Sequence, residues 1–148
     1  MRPLVQLGAA CFSVLFASLI GCNRSDQVGE LREKFSVRRT DLELLRAMAE
    51  EDHLMQLELE PDRRINPTTI TPNRAAEYRS ILERLGGLWI VRWNEHLISI
   101  PMIKRGWPVP FSVCGYLFVP KGTTGVGEKM PGLIPLDSQW FVECHSRK

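Results

Sequence analysis

At Gly86-Gly87 the periodicity of this chain changes, and that point divides what its two sides can become. Before it, Ala75, Tyr78, Ile81, Leu82 and Leu85 recur at helical spacing. Thr71 is placed to cap that helix, and Pro72 takes its first position, where a missing N–H leaves no partner wanting. The two glycines supply the left-handed stop. After them the period is two. Trp89, Val91 and Trp93 fall on one face, and Leu88, Ile90 and Arg92 on the other. Asn94-Glu95-His96 predicts a turn, and Leu97 to Ile103 a returning strand. Pro101 within that strand marks an edge or a bulge, because proline cannot donate to the ladder. Lys104-Arg105-Gly106 makes a second turn, Ser112 to Val119 a third strand, Lys121 to Gly132 a glycine-rich loop, and Gln139 to Cys144 a last strand.

Upstream, Thr40-Asp41-Leu42-Glu43 has the spacing of a capping box. Leu42, Leu45, Met48 and Ala49 then share one helical face, with Glu43, Arg46 and Glu50 outside it. Residues 54–60 are ambiguous. Met55, Leu57 and Leu59 alternate as in a strand, but leucine, glutamine and glutamate prefer helix, and Pro61 ends the segment either way. The expected architecture is α+β, with one or two N-terminal helices followed by an antiparallel meander of three or four strands. Residues 22–39 read as a polar tether that can turn helical through Leu31 and Phe35, and residues 40–148 as a single domain.

The first residues are of another kind. After Arg2 and Pro3 comes a run of seventeen residues, Leu4 to Ile20, apolar or small except for Gln6, Ser13 and Ser18. A basic start, a short apolar run and small residues at its end describe a secretory signal peptide over residues 1–21. The run is at the short end of membrane-spanning length. Leu19-Ile20-Gly21-Cys22 resembles the lipobox of bacterial lipoproteins. That resemblance implies cleavage after Gly21 and a diacylglyceryl group on the Cys22 thiol. It also implies a lipid anchor in the cell envelope. Asn23, where an acidic residue would favour retention in the inner membrane, points to the periplasmic face of the outer membrane.

Composition then narrows the chemistry. Apolar residues make up 44% and charged residues 24%, as in ordinary globular chains. A net charge of +2 provides neither the basic face that nucleic acid requires nor a polybasic clamp for anionic lipid. Beyond Cys22 two cysteines remain, Cys114 and Cys144. In an oxidising compartment such a pair tends to bridge, which requires neighbouring strands; the alternative is two buried thiols. His53, His96 and His145 lie at no metal-ligand spacing, and a zinc set of Cys114, Cys144, His96 and His145 is disfavoured. Gly122, Gly125 and Gly127 precede Lys129, but Glu128 intervenes and Met130 follows, so this is no phosphate loop. No Gly-x-Ser-x-Gly elbow is present. No catalytic residue, metal or cofactor is expected.

The body carries a second, looser likeness. A Tyr-Arg helix ending in Leu85-Gly86-Gly87, a hairpin, Gly115-Tyr116-Leu117-Phe118 and Trp140-Phe141-Val142 together resemble small proteobacterial lipoproteins of no assigned activity. The likeness covers residues 75–143 and implies only the layout. Arg92 interrupts the Leu88–Ile90–Arg92 face with a charge, and buried charge is costly unless paired. The Trp89 and Trp93 face is therefore expected beneath the 72–85 helix. Leu88, Ile90 and Arg92 become the candidate partner surface. The expected role is a non-catalytic interaction or assembly module, anchored in the membrane by its lipid and bound to another envelope protein. A small periplasmic hydrolase and an inhibitor or immunity-type protein remain the alternatives.

Overall fold

The computed structural model describes residues 24–60, 65–67, 69–93, 96–105, 111–126 and 130–147, with backbone alone at 103–105, 111 and 147. Two helices, α1 (Arg24–Glu51) and α2 (Pro72–Leu85), lie on one face of a seven-stranded antiparallel sheet. The strands are β1 (Gln56–Glu58), β2 (Ile65–Asn66), β3 (Trp89–Trp93), β4 (Leu97–Arg105), β5 (Phe111–Phe118), β6 (Ile134–Pro135) and β7 (Trp140–Arg147). Their order across the sheet is β2-β1-β3-β4-β5-β7-β6. The α+β layout is as expected. The three additional strands are β1, whose alternation was set against the helix preference of its residues, and β2 and β6, two residues each and too short for a period of two to show. The ambiguous 54–60 segment contains β1, whose Leu57 pairs with Ile90.

α2 begins and ends as its sequence dictates. The Thr71 hydroxyl accepts from the Arg74 amide at 3.2 Å, and Gly86 closes the helix at φ 71°. A Cβ at Gly87 would stand 2.9 Å from Leu82 Cδ2, so a side chain there would have to displace the end of Leu82.

α1 corrects the tether reading. It is one helix of 28 residues, and Thr40 is exposed in its middle rather than at its start. The reason is that Val28, Leu31, Phe35, Leu42, Leu45 and Ala49 continue one three-and-four spacing through Thr40, and all are buried. Arg38 alone breaks that row. Glu43 does not reach back to a cap. Its Oε1 accepts from Trp140 Nε1 and its Oε2 from Arg46 Nε, both at 2.8 Å, which ties α1 to β7. Burial opposes its charge, but the Trp140 and Arg46 hydrogen bonds outweigh it and hold this carboxyl below the usual range.

The helix runs with β5. Gln27 Nε2 donates to Ser112 Oγ at 3.1 Å, Tyr116 Oη to the Leu31 carbonyl at 2.8 Å, and the Arg46 guanidinium stands 4.9 Å over the Phe118 ring. At its far end Asp52 Oδ2 accepts from Arg74 Nε at 2.7 Å and Tyr78 Oη at 2.8 Å, clasping α1 to α2. Burial raises the Asp52 pKa, but Arg74 and then Tyr78 lower it further, leaving the carboxyl below its ordinary value. Asp137 Oδ1 accepts the amides of Gln139 and Trp140 at 2.8 Å, while Arg39 Nη2 lies 3.0 Å from its Oδ2, fixing the entry to β7.

β4 lies between β3 and β5, so Pro101 is not at an edge; the ladder register shifts between Pro101 and Ile103, the bulge that proline permits. Gly115 sits opposite Pro101, where a Cβ would stand 2.4 Å from the Ile100 carbonyl oxygen.

The sheet's faces are the reverse of expectation. Ile90 is 1% exposed and packs in the main core with Leu57, Ile98, Ile100, Tyr116, Trp140 and the α2 residues Ile81, Leu82 and Leu85. Leu88 and Arg92 are half-buried, so Leu88, Ile90 and Arg92 do not form an open surface. β4 settles the matter. Ile98 stands opposite Arg92, so Arg92 shares its face with Ile98 and Ile100, the most apolar stripe of the neighbouring strand. Arg92 occupies the penultimate position of β3, where a long aliphatic stem can lie along apolar surface and leave its charged head at the rim.

Candidate functional site

The face away from the helices is built from alternate positions of β3, β4, β5 and β7. Part of it is roofed. Leu97, Leu117 and Val119 form a second apolar cluster, with Val126, Met130, Leu133 and Phe141 packed against it. Much of that roof comes from the segment following β5, which turns at Gly122 (φ 84°) and Gly125 (φ 73°). The remaining part is barer. Trp89 and Val91 are half-buried, Trp93 is 50% exposed, and none of the three belongs to either apolar cluster of the described residues.

Where the two parts meet there is a cleft of about 360 Å³, lined by Trp93, His96, Leu97, Thr123, Thr124, Val126 and Met130. The β3–β4 turn supplies one wall and the post-β5 segment the other, with Leu97 deepest. Its walls are mostly apolar, and two threonine hydroxyls and one imidazole stand at its margin. That combination suits an apolar side chain presented beside a backbone able to hydrogen bond.

A polar feature crosses the same face. Ser99 is 3% exposed and Glu143 5%, and the Ser99 hydroxyl donates to Glu143 Oε1. Glu143 Oε2 lies 3.0 Å from Nε2 of the exposed His145. Gly115 stands opposite Glu143 and contributes no side chain to obstruct this crossing. The order is serine, carboxylate, imidazole. A nucleophilic serine needs the imidazole beside it and the carboxylate behind. Here the carboxylate is in the middle, and Ser99 is sealed from any substrate. The arrangement satisfies a buried acid rather than activating a hydroxyl. Glu143, Cys144 and His145 also border a neighbouring cleft of about 330 Å³, with Met130, Pro131, Gly132 and Leu133 opposite.

Cys114 and Cys144 stand directly opposite each other on β5 and β7 and are joined by a disulfide, with Cα atoms 4.1 Å apart. While the bridge stands neither sulfur is a thiolate, so neither can ligate zinc. Among the described residues no group of three or more histidine, cysteine, aspartate or glutamate side chains is gathered for a metal. No described helix is long and apolar enough to cross a membrane. Cys22 lies outside the described residues.

Sequence reasoning offered Cys114–Cys144 as a candidate bridge beside the alternative of two buried thiols, and it missed the Ser99–Glu143 pair, separated by 44 residues, and Gln27–Ser112, separated by 85. Neither pair has a local signal. A buried acid on a strand was detectable only once β7 was in register with β5. The cleft was missed because Trp93 was assigned to the core. No protein family, curated protein or solved structure gives a significant match to this chain.

Proposed function

We propose that this is a lipid-anchored envelope protein that does no chemistry itself and holds a partner protein at the Trp93 cleft. The observation that carries the reading is the half-exposed Trp93 beside an apolar cleft, on a sheet face the helices leave uncovered. Indole rings dominate the energy of protein interfaces when they fill a partner's pocket or complete one. The lipobox Leu19-Ile20-Gly21-Cys22 supports attachment at Cys22, and Asn23 supports the periplasmic face of the outer membrane. In the Glu143–His145 cleft, the sealed Ser99 speaks against a serine hydrolase.

Two measurements test this. Wild type should incorporate labelled fatty acid, and Cys22→Ser should accumulate as unprocessed precursor; absence of label removes the anchor. For the partner, a photoreactive residue placed at position 93 should give a discrete crosslinked species in envelope membranes. The same residue at position 44, exposed on the helical side, should not. Equal crosslinking from both, or none from 93, overturns the cleft as a docking site.

A further inference from the structure

α1 begins at Arg24, two residues after Cys22. Two residues reach at most about 7 Å. That is roughly the depth of one headgroup layer, about 5–7 Å. An acyl group on Cys22 would therefore hold the start of α1 at headgroup level, with no linker to lift the domain away.

The strand register shows what arrives there with it. Gln27 hydrogen bonds to Ser112, so the start of α1 lies against the start of β5. Ser112 stands opposite Arg105 of β4 and Ser146 of β7. Val113 stands opposite Lys104 and His145, and Phe111 opposite Arg147. Arg24 Nη2 donates to the Gly132 carbonyl at 2.9 Å. Arg24, Lys104, Arg105 and Arg147 thus come to one end of the sheet from three separate elements. Among the described residues, Asp26 lies in the first turn of α1, and Glu143 of β7 is buried. A net charge of +2 conceals this grouping because the cations are dispersed along the chain.

We infer that this end of the domain docks on an anionic phospholipid surface through Arg24, Lys104, Arg105 and Arg147 around the start of α1. The inference rests on the Cys22 anchor reading and adds a pose to it. β5 has eight residues at about 3.3 Å each, so the two ends of the sheet are about 25 Å apart. The Trp93 cleft is at the other end, where β3 turns into β4 and β5 finishes. Docking would hold it away from the bilayer, towards a partner in the periplasm.

Each lysine or arginine near an anionic surface adds about fivefold to partitioning, an effect that salt screens. The test uses residues 22–148 with Cys22→Ser, which removes the acyl chain and keeps every described element. This chain should sediment with vesicles of phosphatidylcholine and phosphatidylglycerol in equal parts, not with phosphatidylcholine alone, and added salt should release it. Arg105→Gln and Arg147→Gln should each weaken partitioning about fivefold. Lys121→Gln makes the same change of net charge at the far end and should leave it unaltered. Thermal melts confirm that each variant is folded. No preference for phosphatidylglycerol, or equal losses from Lys121→Gln and Arg105→Gln, overturns the docking end while leaving fatty-acid labelling to decide the anchor. Failure of labelling with charge-dependent binding intact removes the anchor alone.

Discussion

The two faces of the sheet both carry tryptophan, and they use it differently. On the helix face Trp140 is fully buried, its ring packs edge-on to Phe118 with centroids 5.3 Å apart, and its N–H is taken by Glu43. On the other face Trp93 stands half in solvent at the margin of a cleft. The same side chain fills volume in one place and offers surface in the other. Residue type does not separate the two roles. On the helix face the polar tip of a large ring is held by a fixed partner within the fold: Tyr116 gives its hydroxyl proton to the Leu31 carbonyl, and Tyr78 to Asp52.

The contrast can be broken in order of expected effect. Trp140→Ala should cost about 3–5 kcal/mol in denaturant melts, since it opens a cavity and removes the indole donor of Glu43 Oε1. Replacing Cys114 and Cys144 together by alanine should cost about 3–4 kcal/mol, as expected for a bridge closing a loop of 30 residues. A smaller loss would mean that α1 alone holds β5 and β7 together. The carboxyl groups come next. Asp52 and Glu43 sit below their ordinary values in the folded chain, so their contribution is present above the normal carboxylate range and is lost as pH falls. Unfolding free energy should therefore drop below about pH 4. Asp52→Asn should flatten that drop and cost about 1.5–3 kcal/mol at neutral pH. Last, Trp93→Ala should change stability by about 0.5 kcal/mol. If Trp93→Ala approached the Trp140→Ala loss, the outer face would be a second core rather than a surface.

Much of the fold could be read from spacing. α2 was legible to the residue because Thr71, Pro72 and Gly86 are local signals with local causes. The four longer strands after Gly87 were legible from their period of two, although Lys104 and Arg105, read as a turn, belong to β4; whether the two cysteines bridge was left open, because the pairing of β5 with β7 has no local signal. α1 was half-legible: its apolar row begins at Val28, but polar neighbours and a chance capping box at Thr40 masked the first half. The face of β3 was misread because, with the strand considered alone, the charge of Arg92 was taken to bar its whole face from the core. Burial is decided by what lies opposite, and Ile98 and Ile100 belong to another strand. The cleft and the basic end share that difficulty, since both are assembled from segments distant along the chain.

The unbroken run of α1 also bears on how the molecule would carry load. At 28 residues and 1.5 Å per residue it is about 42 Å long, and it lies along β5 rather than across it. If the chain is held at Cys22 and pulled at Trp93, tension acts parallel to the seam between helix and sheet. The contacts of Leu31, Phe35, Leu42 and Leu45 are then strained together, in shear, instead of being peeled apart one after another. A seam loaded that way yields only when most of its contacts fail at once, so under such tension α1 would act as a tie along the length of the sheet.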